Sequence, residues 1–128
     1  MKLLLDAHAL IWAVDDPERL GREAVRALGD SANDRLMSAG SLWEIAIKMS
    51  LGKLSLSLSF RPWMDRAIED LALTVLPITV DHADRQSRLP LHHRDPFDRL
   101  LVAQAQAEGM VLVSADAVLD GYGITRLW

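Results

Sequence analysis

Four acidic residues stand in separated parts of the chain, each beside a segment that predicts a strand or the start of a helix. Asp6 directly follows the apolar run KLLL (2–5), and Asp116 lies two residues beyond the strand-like MVLVS (110–114). Glu44 falls in the helix that follows RLMSA (35–39), and Asp98 falls in the first turn of a helix that begins at Pro96. Ligands of parallel sheets bind beyond the carboxyl ends of the strands. The spacing therefore predicts that these carboxylates converge at one edge of a sheet.

Converging carboxylates repel one another, and each raises the pKa of its neighbours unless a cation neutralises them. Lysine occurs only at positions 2, 48 and 53, so no lysine is an obvious fixed partner for all four acids. An all-carboxylate site without cysteine suits a hard cation, and Mg²⁺ or Mn²⁺ is expected. Such an ion can activate a water, polarise a phosphoryl group and stabilise a leaving oxygen. Hydrolysis of a phosphodiester is the chemistry that this site would support.

Each acid also has a purely structural interpretation. Ser41 and Glu44 have the spacing of a capping box, and Lys48 follows Glu44 at the ordinary i,i+4 helix spacing. Asp6 could cap a helix that begins at Ala7, although a charge directly after three leucines lies beside a core, where an unpaired charge is costly. The alternatives stay open for single residues, and it is the joint placement that favours a metal site.

The DPFD segment contains two of these acids. Asp95 is a natural N-cap, because proline follows it at the first helical position, and Asp98 occupies the third. Acids in a first turn also gain roughly 0.3–1 kcal/mol from the helix dipole. Ser114 or Asp116 could cap the next helical turn in the same way. Capping alone would account for each of these residues taken singly.

Strand and helix signals alternate along the chain. Strands are predicted at 2–5, 35–39, 74–79, 110–114 and 124–128, and helices at 17–30, 41–52, 61–73, 80–90 and 96–108. This alternation predicts an α/β fold with a mostly parallel central sheet that is covered on both faces, in a three-layer α/β/α arrangement. The absence of repeats and linker-like stretches predicts a single domain over residues 1–128.

Length and composition narrow the class of protein. The chain has 128 residues, no cysteine and a formal net charge of −4. That charge repels nucleic acid, so a polyanionic substrate needs local bases, metal ions or a partner chain. No apolar run approaches the roughly 20 residues of a membrane span, and MKLLLDAHAL is not a signal-peptide core. A cytoplasmic protein without a membrane partner is expected.

The blocks around the acids resemble a known family. LLLDAHALIWA, SAGSLWEIAIK, HRDPFDRLLVAQA and LVSADAVLDGYGI occur in the order seen in PIN-domain proteins of the VapC toxin type, over roughly residues 2 to 126. The resemblance implies a metal-dependent endoribonuclease toxin that leaves 5′-phosphate and 3′-hydroxyl ends and is held inactive by a cognate antitoxin. It implies that the metal-binding and catalytic acids are Asp6, Glu44, Asp98 and Asp116. Asp95 would then cap its helix or support the site from a second shell.

One departure from the family pattern bears on activity. The family commonly has threonine or serine after the first aspartate, and here the residue is Ala7. A lost hydrogen bond to Asp6 corresponds to about 1 kcal/mol and predicts weaker metal binding. Ser114 could supply a supporting hydroxyl near Asp116. The alternative to a working enzyme is a catalytically weak or silent PIN-fold protein that acts through antitoxin or partner binding.

Basic and aromatic residues are candidates for binding RNA and partner proteins. Arg94 and Arg99 flank the predicted site and could contact RNA phosphates, together with Lys48. The two histidines before Arg94 could do the same, although a solvated polar loop is the favoured interpretation for them. The four tryptophans are core residues or belong to interfaces, of which a homodimer and an antitoxin complex are expected.

Two other functions fit the chain less well. A phosphoacceptor receiver module needs an acidic pair after its first strand and a late lysine, whereas this chain has Asp6 alone and no lysine beyond Lys53. A metal-independent ribonuclease would use His8, His92 or His93 as acid and base, and its activity would survive chelation. Sensitivity to a chelator therefore separates the main hypothesis from the second rival.

Overall fold

The computed structural model describes all 128 residues and contains one five-stranded parallel sheet. Its strands are β1 (Lys2–Leu5), β2 (Asp34–Ser38), β3 (Leu73–Leu76), β4 (Val111–Val113) and β5 (Arg126–Leu127). They are arranged in the order β3-β2-β1-β4-β5, and every neighbouring pair is parallel. The predicted parallel sheet is confirmed.

The central strand explains why its sequence is a continuous apolar run. Leu3, Leu4 and Leu5 are all fully buried, because β1 is covered on both faces. Leu3 and Leu5 belong to one hydrophobic cluster, whereas Leu4 belongs to the other. Side chains that alternate along a strand point to opposite faces, so the two clusters are the two cores of a three-layer α/β/α structure.

Six α-helices cover the sheet. They are α1 (Ala7–Asp15), α2 (Arg22–Gly29), α3 (Ala39–Ser50), α4 (Phe60–Asp70), α5 (Val80–Arg88) and α6 (Pro96–Glu108), with 3₁₀ turns at Pro17–Arg19 and Ala117–Tyr122. The first cluster takes apolar residues from α1 to α4, and the second takes Leu101 and Val102 from α6. No helix has both the length and the apolar character that crossing a membrane requires.

Two helix predictions were incomplete. Residues 7–15 form α1 with Asp6 as its N-cap, as the capping interpretation of Asp6 allowed, although the alternation of strands and helices did not include this helix. The helix predicted at 17–30 is interrupted, because the chain leaves the 3₁₀ turn before Gly21 and restarts at Arg22. A Cβ at Gly21 would lie 2.3 Å from the carbonyl carbon of Trp128, so the C-terminus packs where the helix breaks.

The strand order determines where a site can form. The chain leaves β1 toward β2 and β3 on one side, and it later returns to β4 and β5 on the other side. The carboxyl ends of β1 and β4 therefore flank a crevice at the point where the strand order reverses, which is where open α/β sheets bind ligands. Asp6 follows β1 directly, and Ser114 and Asp116 follow β4.

Candidate metal centre

The four predicted acids form one electrostatically coupled group at this crevice. Burial raises the pKa of Asp98 to about 7, and the neighbouring carboxylates of Asp95, Asp6 and Glu44 add to the increase. Burial also raises the pKa of Asp6, and Asp116 contributes repulsion to it. These carboxylates are thus close enough to oppose one another's ionisation, although they come from the end of β1, from α3, from α6 and from the segment after β4.

Asp6 caps a helix and faces the site at the same time. Its Oδ1 accepts a hydrogen bond from the backbone N–H of Ala9 at 2.8 Å, and the residue is only 7% exposed. The neighbouring hydroxyl of Ser114 lowers the pKa of Asp6 and so opposes the effect of burial. The Oγ of Ser114 also accepts from the backbone N–H of Asp116 at 3.1 Å. Ser114 therefore joins two of the acids and supplies the hydroxyl that Ala7 lacks.

Glu44 lies on α3 with its charge balanced by a lysine. Its Oε2 lies 2.6 Å from Nζ of Lys48, and this hydrogen bond raises the pKa of Lys48. The predicted capping box at Ser41 is wrong, because α3 begins earlier and its N-cap is Ser38, which accepts from Gly40 N–H at 3.0 Å. The strand ends one residue sooner than predicted, so Ser41 is already inside the helix. Glu44 therefore takes no part in capping α3.

A close helix contact supports the meeting of Glu44 and Asp98. A Cβ at Gly40 would lie 2.4 Å from Cδ2 of Leu100, so any larger residue at position 40 would force the Leu100 side chain or one of the two helices to move. Gly40 is one turn before Glu44, and Leu100 is two residues after Asp98. The absence of a side chain at position 40 therefore lets the two helices that carry these acids approach each other.

The two aspartates of the DPFD segment have different surroundings. Asp95 is the N-cap of α6, and its Oδ1 accepts from the backbone N–H groups of Phe97 at 2.8 Å and Asp98 at 3.4 Å. Pro96 occupies the first helical position, as the sequence predicted. The carboxylate of Asp98 caps nothing and faces the other acids. Asp95 is thus the capping residue, and the carboxylate of Asp98 is available to bind a metal.

His93 enters the site, whereas the favoured sequence interpretation placed it in a solvated loop. Its Nε2 lies 2.8 Å from Oδ2 of Asp116 and 3.4 Å from Oδ2 of Asp98. Its Nδ1 accepts from the backbone N–H of Asp95 at 3.0 Å, so the neutral ring carries its proton on Nε2 and donates it to the carboxylates. The favoured solvated-loop interpretation is wrong for this histidine. No local pattern marks it, apart from its place directly before the site helix.

Comparison with known proteins identifies the family. The model of the PIN domain matches residues 3–124. The chain belongs to the PIN-domain family. It is 30% identical over 121 residues to Ribonuclease VapC22 of Mycobacterium tuberculosis (strain ATCC 25618 / H37Rv), with 94% of this chain and 91% of that protein covered. The sequence resemblance to VapC-type PIN proteins is confirmed.

Solved structures share the fold of this PIN domain at low identity. VapBC2 from Rickettsia felis, bound to a DNA fragment from its promoter, matches with a TM-score of 0.76 and 15% identity over 99% of this chain and 98% of that chain. VapBC-1 from nontypeable Haemophilus influenzae matches with a TM-score of 0.68 and 18% identity over 99% and 97%. At these identities the likeness supports the architecture alone.

The donor set of the PIN-domain site fits a divalent cation. Ligand atoms of His93, Asp98 and Asp116 lie within 4.8 Å of one another. Because the Nδ1 acceptor places the proton of the neutral ring on Nε2, His93 donates to Oδ2 of Asp116. Oδ1 of Asp116 caps the following 3₁₀ turn by accepting from the backbone N–H of Val118 at 3.1 Å, so each oxygen keeps one lone pair for a cation. Carboxylate oxygens are the ligands that hard divalent ions prefer, and such an ion would relieve the repulsion that raises the pKa of Asp98 and Asp6.

Arg99 of the PIN domain is a structural residue, and its predicted contact with RNA is not supported by its surroundings. Its guanidinium donates to Tyr122 Oη at 3.3 Å, and it reaches carbonyls of the segment that carries His93. Those carbonyls belong to Gln86, Leu89, Pro90 and His93. Tyr122 Oη in turn accepts from the N–H of His93 at 2.9 Å. Arg94, by contrast, is exposed and takes part in no ion pair or side-chain hydrogen bond.

Replacing Arg99 should therefore destabilise the fold, whereas replacing Arg94 should not. We expect Arg99→Ala to lower the free energy of unfolding by about 2–3 kcal/mol, because it removes charged donors from several partly buried carbonyls. Arg94→Ala should change it by about 0.5 kcal/mol or less. Urea unfolding of both variants measures the difference. Equal stabilities would show that the guanidinium does not hold this segment.

Proposed function

We propose that this chain, as a single PIN domain over residues 1–128, is a metal-dependent endoribonuclease and the toxin of a toxin–antitoxin pair. The convergence of Asp6, Glu44, Asp98 and Asp116 at the carboxyl edge of the sheet carries the proposal, because carboxylates gathered without a resident nucleophile suit metal-assisted hydrolysis. The 30% identity to a VapC ribonuclease over nearly the whole chain supports the substrate class.

The proposal assigns separate roles to the residues of the site. Asp98 and Asp116 would hold Mg²⁺ or Mn²⁺ together with Asp6, and Glu44 would orient a water or complete the ligand set. Such an ion, when bound, supplies a water of lowered pKa and neutralises charge on the phosphate. His93 would fix the orientation of Asp98 and Asp116 through its Nε2–H, and Ser114 would do the same for Asp6. The products would carry 5′-phosphate and 3′-hydroxyl ends.

Exposed apolar side chains on one part of the surface support the proposal that this chain binds other proteins. Trp43 is 61% exposed and lies edge-on to Phe97, with ring centroids 6.0 Å apart, above a cavity of about 350 Å³ that Ile78 also lines. Val80, two residues after Ile78, is 88% exposed. Apolar surface of this kind is typical of interfaces. We assign it to contacts with a cognate antitoxin and with a second copy in a homodimer, in the cytoplasm, where the RNA substrate is.

Cleavage of RNA by the purified protein tests the proposal. A mixture of single-stranded RNAs should be cut in Mg²⁺ or Mn²⁺, left intact in EDTA, and cut again when excess metal is restored. Activity that survives chelation would favour the histidine-based mechanism, with His8, His92 or His93 as acid and base. Absence of cleavage with either metal would favour the silent partner-binding alternative, whose physical basis at Ala7 is weakened by the hydroxyl of Ser114.

A further inference from the structure

A groove along α1 begins at the acid cluster. Its inner part is a cavity of about 250 Å³ lined by Asp6, His8, Trp12, Ala115 and Asp116. A second cavity of about 380 Å³ shares His8 and Trp12 and extends to Arg19. We call these two cavities together the α1 groove. Since Asp6 and Asp116 form its inner wall, a chain held at the acids has its next unit beside His8 and Trp12.

The middle of the α1 groove presents two aromatic rings. His8 and Trp12 lie one turn apart on α1, and their ring centroids are 5.6 Å apart. Trp12 is half-buried and packs against Trp128, with centroids again 5.6 Å apart, so the indole is held in place. His8 is exposed. A fixed indole beside an exposed imidazole is the kind of surface on which an unpaired base stacks.

The outer end of the α1 groove carries Arg19, which forms an ion pair with neither of the two acids that line the same cavity, Asp15 and Asp16. The guanidinium carbon of Arg19 lies 4.4 Å from the centroid of the Trp12 ring. Arg19 takes part in none of the ion pairs of the structure. The nearby Asp15 is already bound by Ser57 and by the indole N–H of Trp63. Arg19 is thus held by stacking and remains available for an anion.

We propose that the α1 groove binds the nucleotide next to the scissile phosphate in an unpaired RNA strand. The base stacks on His8 and Trp12, and Arg19 contacts the following phosphate. The net charge of −4 weakens general attraction to phosphates, so binding depends on stacking and on single well-placed cations. A duplex cannot use this surface, because its bases are already stacked on one another. This inference rests on the proposed ribonuclease function.

The first test measures cleavage kinetics of variants at exposed residues, none of which replaces one of the four acids. We expect His8→Ala and Arg19→Gln each to lower kcat/KM on single-stranded RNA about 5-fold or more, mainly through KM. Arg19→Gln should also reduce the slope of log affinity against log salt by about 0.7, the loss of one phosphate contact. Arg88→Ala, whose side chain is 68% exposed on α5, is the matched control and should stay within about 2-fold of the parent.

An abasic substrate distinguishes stacking from a structural effect. An RNA that lacks the base next to the scissile phosphate should be a poorer substrate for the parent protein. On that RNA, His8→Ala should lose little further activity. Equal losses for His8→Ala on the intact and abasic RNAs, or unchanged kinetics for both groove variants, would overturn the inference and leave the proposed ribonuclease function standing.

A binding measurement keeps the inference testable even if the parent protein cuts no RNA. Fluorescence anisotropy of a labelled single-stranded oligonucleotide would be recorded with Asp98→Asn as the background, so that cleavage does not interfere. Adding His8→Ala or Arg19→Gln should raise Kd about 5-fold or more, whereas adding Arg88→Ala should not. Unchanged Kd values would overturn the inference, and a protein segment such as the antitoxin would then be the better candidate for this groove.

Discussion

Asp98→Asn is expected to reduce RNA cleavage about 100-fold or more, whereas Asp95→Asn should cleave within a few-fold of the parent. Loss of a charged ligand removes several kcal/mol of transition-state stabilisation, and each 1.36 kcal/mol corresponds to a factor of ten in rate. Asparagine is as good an N-cap as aspartate, so Asp95→Asn keeps the hydrogen bonds to Phe97 and Asp98. Single-turnover cleavage in Mg²⁺ or Mn²⁺ measures both variants.

The pair of variants is a matched test, because both remove one negative charge from the same helix turn. A loss shared equally by both would mean that total charge matters and that Asp98 has no special role. Parental activity in Asp98→Asn would contradict the proposed metal site itself. Circular dichroism and a melting curve confirm that each variant is folded, and Asp98→Asn should melt at or above the parental temperature in EDTA at neutral pH.

The second large effect is the pH dependence of stability in the metal-free protein. The pKa of Asp98 is raised from 3.8 to about 7, so between these values the folded state binds more protons than the unfolded state. Stability contributed by this group therefore falls as pH rises through that range, and it reaches its minimum above pH 7. The shift corresponds to at most about 4 kcal/mol. The raised pKa of Asp6 also makes the folded state less stable as pH rises.

Urea unfolding of the parent and of Asp98→Asn at pH 5, 6, 7 and 8 in EDTA isolates this contribution. The variant should become progressively more stable than the parent as pH rises, since asparagine cannot ionise. Saturating Mn²⁺ should shrink the difference at pH 7.5, with a gain for the parent of about 2.7 kcal/mol when the metal is at 100 times its Kd and a smaller gain for the variant. A difference between parent and variant that is independent of pH, or equal stabilisation of both by Mn²⁺, would contradict a site centred on Asp98.

Several features of this protein were readable from local sequence. The three leucines of β1, the aspartate that follows them, and the Asp95–Pro96 start of α6 are marked by patterns within a few residues, namely a short apolar run and a capping sequence. The alternation of strands and helices was enough to predict the parallel sheet. The rule that sites form beyond the carboxyl ends of such strands then brought Asp6 and Asp116 to one edge.

Short-range patterns also led to errors. The spacing of Ser41 and Glu44 matched a capping box, yet the helix starts at Ala39 and its cap is Ser38. The helix signal at 17–30 was continuous, yet the close approach of Trp128 to Gly21 interrupts it. In both cases the local pattern was compatible with two starting points for a helix, and packing against distant residues selected one of them.

Only the tertiary structure decided which polar residues complete the site and which support it. His93 meets Asp116 across 23 positions of sequence, and Arg99 finds its acceptors in the segment before α6 and in Tyr122. The sequence position of His93 does not reveal whether it donates to the acids or lies in solvent. In the same way, the position of Arg99 does not reveal whether it binds backbone carbonyls or RNA. The sequence determined the acids and their strands because those depend on neighbours along the chain. Their partners depend on how separate segments pack, which is a property of the folded chain as a whole.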